Sequence, residues 1–496
     1  MSMVERAQLL LIQFTSPDFR IRWVLLGLLY LVGVLYWMHS FGMFSTGADG
    51  GALRPEFGYL DWPRNIQIIE VIKDAVQRFE LPYVSSMKLL GTDLLIAVPE
   101  VPITPQQALL AFVSTDSYIL LNTLFMYSLG FIGLVLFVKY QRLSALTSSL
   151  LFGLFMFNGH VISHLAIGHI MWVAYFLLPY LMYLMFRMVD RTITPRLFAL
   201  LLGGVLFAIL QQGALHIYVF VAVFTFVASL TRRSHMKSVF LGILISLALD
   251  MFRLLPSILH FDFPGLARLD GFVSPLAVVN ALLLSHDFTF SGFGNLRWWE
   301  YDSHVGFVGL SVISLVCLYA LRQMYLNYTR SSKRRSANDF VLLLPAFVLL
   351  VLSYGGVTTL VYNLDLPFDL NRTERVPSRF ILMALVPAIF VTVVVVQRFL
   401  EQQQRWITQI RVGAIFALIV AVFELGLHAL RWRVVDIEQR VIHPSERVEP
   451  QIAVEVVRTG YHASVDLGLA ISLVALALWV FMLIRSFKRP LLRIRF

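Results

Sequence analysis

Residues Arg379 to Arg398 read RFILMALVPAIFVTVVVVQR, eighteen consecutive positions without an ionisable side chain closed at each end by an arginine. The hydrocarbon layer of a bilayer is roughly 30 Å thick and takes about 20 mostly apolar residues in helical form. This stretch meets that requirement. Working outward from it, comparable runs recur along the chain, and the sequence predicts an all-α polytopic transmembrane bundle of about twelve helices. The expected spans are 22–42, 117–138, 144–163, 168–186, 195–210, 214–230, 238–260, 304–325, 339–354, 379–397, 412–429 and 464–485.

Composition agrees: 58% of the 496 residues are hydrophobic, 14% are charged, and mean hydropathy is +0.75. Such a chain is one membrane domain rather than a series of soluble ones. A net charge of +10 and a pI near 9.7 raise the question of nucleic acid, but the basic residues form short clusters between apolar runs, not one stripe, so no nucleic-acid partner is expected. The single cysteine, Cys317, lies inside an apolar run and excludes a disulfide framework. The first run follows Glu5 and Asp18 and reads as a retained anchor.

With the N-terminus inside, about 24 of the 40 Lys and Arg but only about 5 of the 30 acids fall on the cytoplasmic side, as the positive-inside rule requires. Both termini are then cytoplasmic, and a bacterial inner membrane is the expected location. The long connections, 43–116, 261–303, 354–378 and 430–463, all fall outside, which is where loop-borne function is expected. In the first of them, Ile68, Ile69, Ile72, Ala75, Val76 and Phe79 recur at helical spacing opposite Glu70, Lys73, Asp74, Gln77 and Arg78, the pattern of an interfacial helix.

Several outer residues carry chemistry. Asp61, in Tyr59-Leu60-Asp61-Trp62-Pro63-Arg64, precedes that helix, where amide dipoles and Arg64 favour an ionised carboxylate. Such a group serves as a base, a metal ligand or simply a helix cap. Asp49, between glycines, is a second candidate base, with a turn as its ordinary role. The segment Asn158 to His169 sets His160 and His164 on one helix face, with His169 at the start of the next element. No Glu stands between the first two in the zinc-protease arrangement, so a structural polar cluster is the plainer reading of that pair. Arg372, Arg375 and Arg379 lie on a side that should be poor in them; guanidinium forks suit a lipid phosphate, or pairing with Glu374, Asp365 or Asp369. Asp250, Arg253 and Glu424 fall within or beside spans, where an unpaired charge is costly. Trp298 to Asp302 is either an interfacial aromatic belt or a sugar-stacking platform.

The order of these features resembles the multi-span glycosyltransferases of the GT-C superfamily. The resemblance rests on Leu60-Asp61-Trp62, Leu81-Pro82-Tyr83 and the run from Gly91 to Pro99. His164-Leu165-Ala166-Ile167-Gly168-His169, Pro179, Glu300-Tyr301-Asp302 before Val305-Gly306, and Arg375 to Phe380 are similar to the YfhO-like branch. Where many relatives carry a Trp-Asn-Pro-like stretch, this chain has Tyr83-Val84-Ser85.

The resemblance implies transfer of a sugar from a polyprenyl-phosphate donor to a glycan, lipid or protein acceptor of the cell envelope, on the extracytoplasmic face. It implies Asp61 as the essential acid, Arg379 with Arg375 or His169 at the donor phosphate, and His164, Trp62, Arg64, Glu300, Tyr301 and Asp302 as substrate contacts. A divalent cation is the one cofactor it leaves open. The rival expectations are a transporter or flippase built on Asp250, Arg253 and Glu424, and a non-catalytic scaffold for envelope assembly.

Overall fold

Helices occupy all twelve segments that the apolar runs predict, though not all of them in the same way. The computed structural model describes residues 3–44, 55, 57–89, 92–261, 270–292, 296–330, 339–363, 376–402, 406–440 and 460–488. Among these, 8 helices are long and apolar enough to cross a membrane, and a bent pair makes a ninth. The remaining three, Pro195–Gln211, Leu215–Thr231 and Phe340–Leu352, are apolar but shorter. The chain is thus a helical bundle suited to a lipid bilayer. A short antiparallel hairpin, Val84–Leu89 with Thr92–Leu94, is the one sheet among the described residues.

The bundle has a centre and a rim. Ala145–Ala166 and Pro377–Glu401 are 94% and 89% buried over their apolar windows, whereas Tyr461–Phe487 and Ile407–Arg431 are 11% and 17% buried. The rim helices turn Phe416, Phe423, Leu473, Leu478 and Phe481 outward. In water that surface would aggregate; against lipid tails it costs nothing. Close helix approach depends in places on missing side chains: a Cβ on Gly203 would sit 2.7 Å from Ile245, so Pro195–Gln211 and Met236–Leu249 pack together only because glycine stands there.

The bent pair, Arg233–Leu249 and Met251–His260, breaks by 80° at Asp250. Asp250 and Arg253, three positions apart, each find other hydrogen-bond partners at the break. Asp250 accepts from the Gln211 amide at 2.5 Å, while the Arg253 guanidinium donates to the carbonyls of Leu210, Val98, Pro99 and Val101 at 2.7 to 3.3 Å. One buried cation therefore satisfies a helix end and the apolar turn 95–101, where unpaired carbonyls would each be costly. Glu424 likewise works locally, accepting from the Val308 amide at 3.3 Å near the start of Gly306–Arg330.

Trp62–Gln77 is an amphipathic helix. Ile68, Ile69, Ile72 and Ala75 are buried as the spacing predicts, but Phe79 is 96% exposed. The helix ends at Gln77, and Phe79 takes a left-handed backbone (φ 58°) that swings its ring outward.

Candidate functional site

Five predicted site residues from four separated stretches meet at one end of the bundle. Asp61 precedes Trp62–Gln77, His164 lies near the end of Gly159–Ala166, and His169 follows it. Glu300 closes the turn Trp298–Glu300, and Arg379 stands in Pro377–Phe380, ahead of Ile381–Glu401. They form a chain. Asp61 Oδ2 is 2.5 Å from His169 Nε2, and His169 Nδ1 is 2.6 Å from His164 Nδ1. His164 Nε2 is 4.0 Å from Glu300 Oε2, and Glu300 takes Arg379 in a two-pronged fork, Nε to Oε2 at 2.7 Å and Nη2 to Oε1 at 2.8 Å.

The local sequence makes this meeting possible. Gly168 carries φ +102°, and a Cβ there would stand 2.6 Å from the Trp62 amide nitrogen, so only glycine lets the two loops touch. Phe57 and Leu60 are non-glycine residues with φ 53° and 50°, a strained approach to Asp61 held by surrounding contacts. Those contacts include Tyr59 Oη and Trp62 Nε1 donating to the Ala166 carbonyl at 2.8 and 3.1 Å. Asn65 Nδ2 bridges the Asp61 and Gly168 carbonyls at 3.0 and 2.7 Å.

Asp61 occupies the N-cap position, yet its side chain makes no capping hydrogen bond. The carboxylate is committed to His169 instead. Burial works against its ionisation, but the charge and hydrogen bond of His169, then Arg64 and Arg379, outweigh it and bring the carboxyl down to about 2. With 48% of its side chain exposed, Asp61 is also the one member of the chain that faces outward. Glu300 is buried; that burial would raise its pKa, but the Arg379 fork, with help from His169 and His160, holds it below the usual carboxylate range.

Around the chain is an aromatic shell. The Trp172 ring stacks on His164 at 4.2 Å, meets His160 and His216 at 4.6 Å, and lies 5.9 Å from the Arg379 guanidinium carbon. His160 Nδ1 sits 2.9 Å from the Asp302 carbonyl oxygen, so its place on one face with His164 serves packing and a loop contact. His164 Nε2, His160 Nε2, His216 Nε2 and Trp172 Nε1 are buried polar atoms without a hydrogen-bond partner among the described residues. Three such atoms around an indole that is itself unpartnered are unusual in a folded interior.

The remaining expectations divide. Trp62 is 1% exposed and fastens the amphipathic helix rather than presenting a face, and Arg64 lies 3.5 Å from Glu100. Tyr301 is wholly buried, its ring 5.4 Å from Phe272, and Trp298 is wholly buried against His286 and Phe290; neither forms an open stacking platform. Asp302 is also buried, with Oδ2 3.1 Å from His428 Nε2 and Oδ1 accepting from the His304 amide at 3.1 Å. Asp49, Arg372 and Arg375, and the partners Glu374, Asp365 and Asp369 considered for the arginines, lie outside the described residues.

Sequence reasoning passed over Asn65, Trp172 and His216. An aromatic or amide in an apolar run carries no signal of its own, and only the fold brings these side chains to the histidines. A cavity of about 440 Å³, lined by Asp18, Arg142, Arg398, Glu401 and Arg411 among others, lies at the far end of Ile381–Glu401 from Arg379 and shares none of this chemistry. No family model matches this sequence, and no curated protein matches it.

Proposed function

We propose that this chain is a membrane glycosyltransferase of GT-C type, spanning the bilayer about twelve times with both ends in the cytoplasm. It transfers a sugar from a polyprenyl-phosphate donor to an envelope acceptor at its outer face. The observation that carries the reading is the commitment of Asp61 to His169 instead of to its own helix, with the other end of the same chain at Arg379. On this reading Trp62–Gln77 lies along the outer interface, with Phe79 reaching the lipid.

The chemistry follows from placement. The acceptor hydroxyl oxygen attacks the anomeric carbon, its proton passes to the exposed oxygen of Asp61, and the sugar–oxygen bond breaks with its electron pair on the departing lipid phosphate. Arg379 offers preorganised positive charge, and the histidine pair N–H donors, to that phosphate in a partly dry setting, where such groups need little reorganisation. General-base assistance of this kind contributes about 10²- to 10⁴-fold.

Asp61→Asn keeps an amide oxygen for the His169 N–H but cannot take the proton. We expect folded yield to stay at the wild-type level while transfer from a polyprenyl-phosphate sugar falls by about 10²-fold or more. Lipid-linked sugars and envelope glycans measured by mass spectrometry, with wild-type or variant protein, give the readout. Undiminished transfer by the variant sinks the mechanism.

A transporter reading draws on the 80° break at Asp250, since discontinuous helices line transport sites. Against it, Arg253 and Asp250 are both occupied in holding the turn 95–101 and the end of Pro195–Gln211.

A further inference from the structure

We propose that His164, His169 and Glu300 form a binding site for one divalent transition cation of borderline softness, such as zinc, with Asp61 orienting His169 from behind. One nitrogen from each histidine and one oxygen of Glu300 lie within 4.8 Å of one another. All three residues are buried. A tetrahedral cation with bonds of about 2.0–2.2 Å holds its ligand atoms roughly 3.4 Å apart, so closure needs shifts of an ångström or so.

Two independent observations point to a ligand. First, His164 Nε2 is fully buried and has no hydrogen-bond partner among the described residues, though it faces Glu300 at 4.0 Å. That spacing is too long for a hydrogen bond and short enough for both atoms to meet one ion. Second, the contact of Asp61 Oδ2 with His169 Nε2 at 2.5 Å is the arrangement in which a carboxylate fixes the tautomer of a metal-ligating imidazole. With its proton on Nε2, His169 presents an Nδ1 lone pair inward, toward His164.

Arg379 does not remove Glu300 from this set. A carboxylate offers about four lone-pair positions, and the fork at 2.7 and 2.8 Å uses one on each oxygen. The guanidinium then orients the ligand, as partners behind metal ligands commonly do. Two imidazoles with a carboxylate select a transition cation over magnesium or calcium, which prefer all-oxygen sites. Binding moves the His169 Nδ1 lone pair from its contact with His164 Nδ1, at 2.6 Å, to the cation, while His164 ligates through Nε2 and keeps its proton on Nδ1. On the transferase reading the cation supplies extra positive charge beside the lipid phosphate; the binding prediction itself does not depend on that reading.

The test uses the full chain in nanodiscs, purified through a tag without histidine and stripped with a chelator. Titration with Co²⁺ should give visible d–d absorption saturating at one ion per chain, displaced stoichiometrically by Zn²⁺. His169→Gln and Glu300→Gln should each weaken Co²⁺ binding by at least 10-fold, and Asp61→Asn by about 10- to 100-fold. Absence of saturable, nitrogen-type Co²⁺ bands in the wild-type protein overturns the proposal, as does undiminished binding in folded His169→Gln and Glu300→Gln. The wild-type spectrum decides even if a variant fails to fold. Asp61-dependent transfer by a chain that binds no cation overturns this inference alone, while a bound cation without transfer overturns the transferase reading alone.

Discussion

Replacing Glu300 and Arg379 by glutamine, singly and together, asks whether their fork holds the site shut. Both side chains are largely buried, 9% and 14% exposed, and joined by two charge-assisted hydrogen bonds. Each such bond is worth about 1.5 kcal/mol or more, which sets their coupling at about 3 kcal/mol. Glu300→Gln leaves a buried cation facing an amide NH₂, and Arg379→Gln leaves a buried carboxylate. Each should cost about 3–5 kcal/mol, the price of an uncompensated interior charge. The double variant restores neutrality and lets two amides bond, so it should be about 3 kcal/mol less destabilised than the sum of the single variants. Unfolding of the four proteins titrated with SDS in mixed micelles measures this. Additivity within about 0.5 kcal/mol would refute the reasoning.

Two further outcomes follow from the geometry. The Asp61 carboxyl lies near 2, below its ordinary 3.8, so its pairing contributes stability fully above about pH 4, and that contribution is lost as pH falls through about 2. The stability difference between wild type and Asp61→Asn should therefore hold from pH 7 to about 4 and shrink below it; a difference that collapses between pH 7 and 5 would assign the effect to another group. Arg253→Met strips the carbonyls of Leu210, Pro99 and Val101 of their donor and should cost about 3 kcal/mol or more, read as lost folded yield. If Arg253→Met folds normally and alters only substrate movement, the transport reading gains what the structural one loses.

The helices were legible because an apolar run of span length has one outcome in a bilayer, and Asp61 was legible because a charge before an amphipathic helix stands out. What stayed hidden was pairing over distance. Glu300 lies 79 residues before Arg379, and nothing local distinguishes it as that arginine's partner from Glu374, which is five positions away. Trp298 and Tyr301 carried the signature of an interfacial belt, yet both are buried, because their turn folds against Phe272, His286 and Phe290. The charges of the bent pair were visible too. That Arg253 would serve backbone carbonyls instead of its neighbour Asp250 was not, because backbone demand depends on where a remote turn comes to rest.

The charge balance of the site explains why its exposed member and its buried members belong together. Asp61 and Glu300 bring two negative charges and Arg379 one positive, so the resting chain has room for one further positive charge at or between the histidines. His164 is stacked on Trp172, while His169 keeps a 10% exposed side chain beside Asp61. That charge is a proton on the histidines or a bound cation. On the transferase reading, an anionic phosphate entering the same end adds negative charge and strengthens the demand. On the transferase reading, the carboxylate that takes a proton is thus wired to the groups that need positive charge when the lipid phosphate departs, and Glu300 holds Arg379 in place until then.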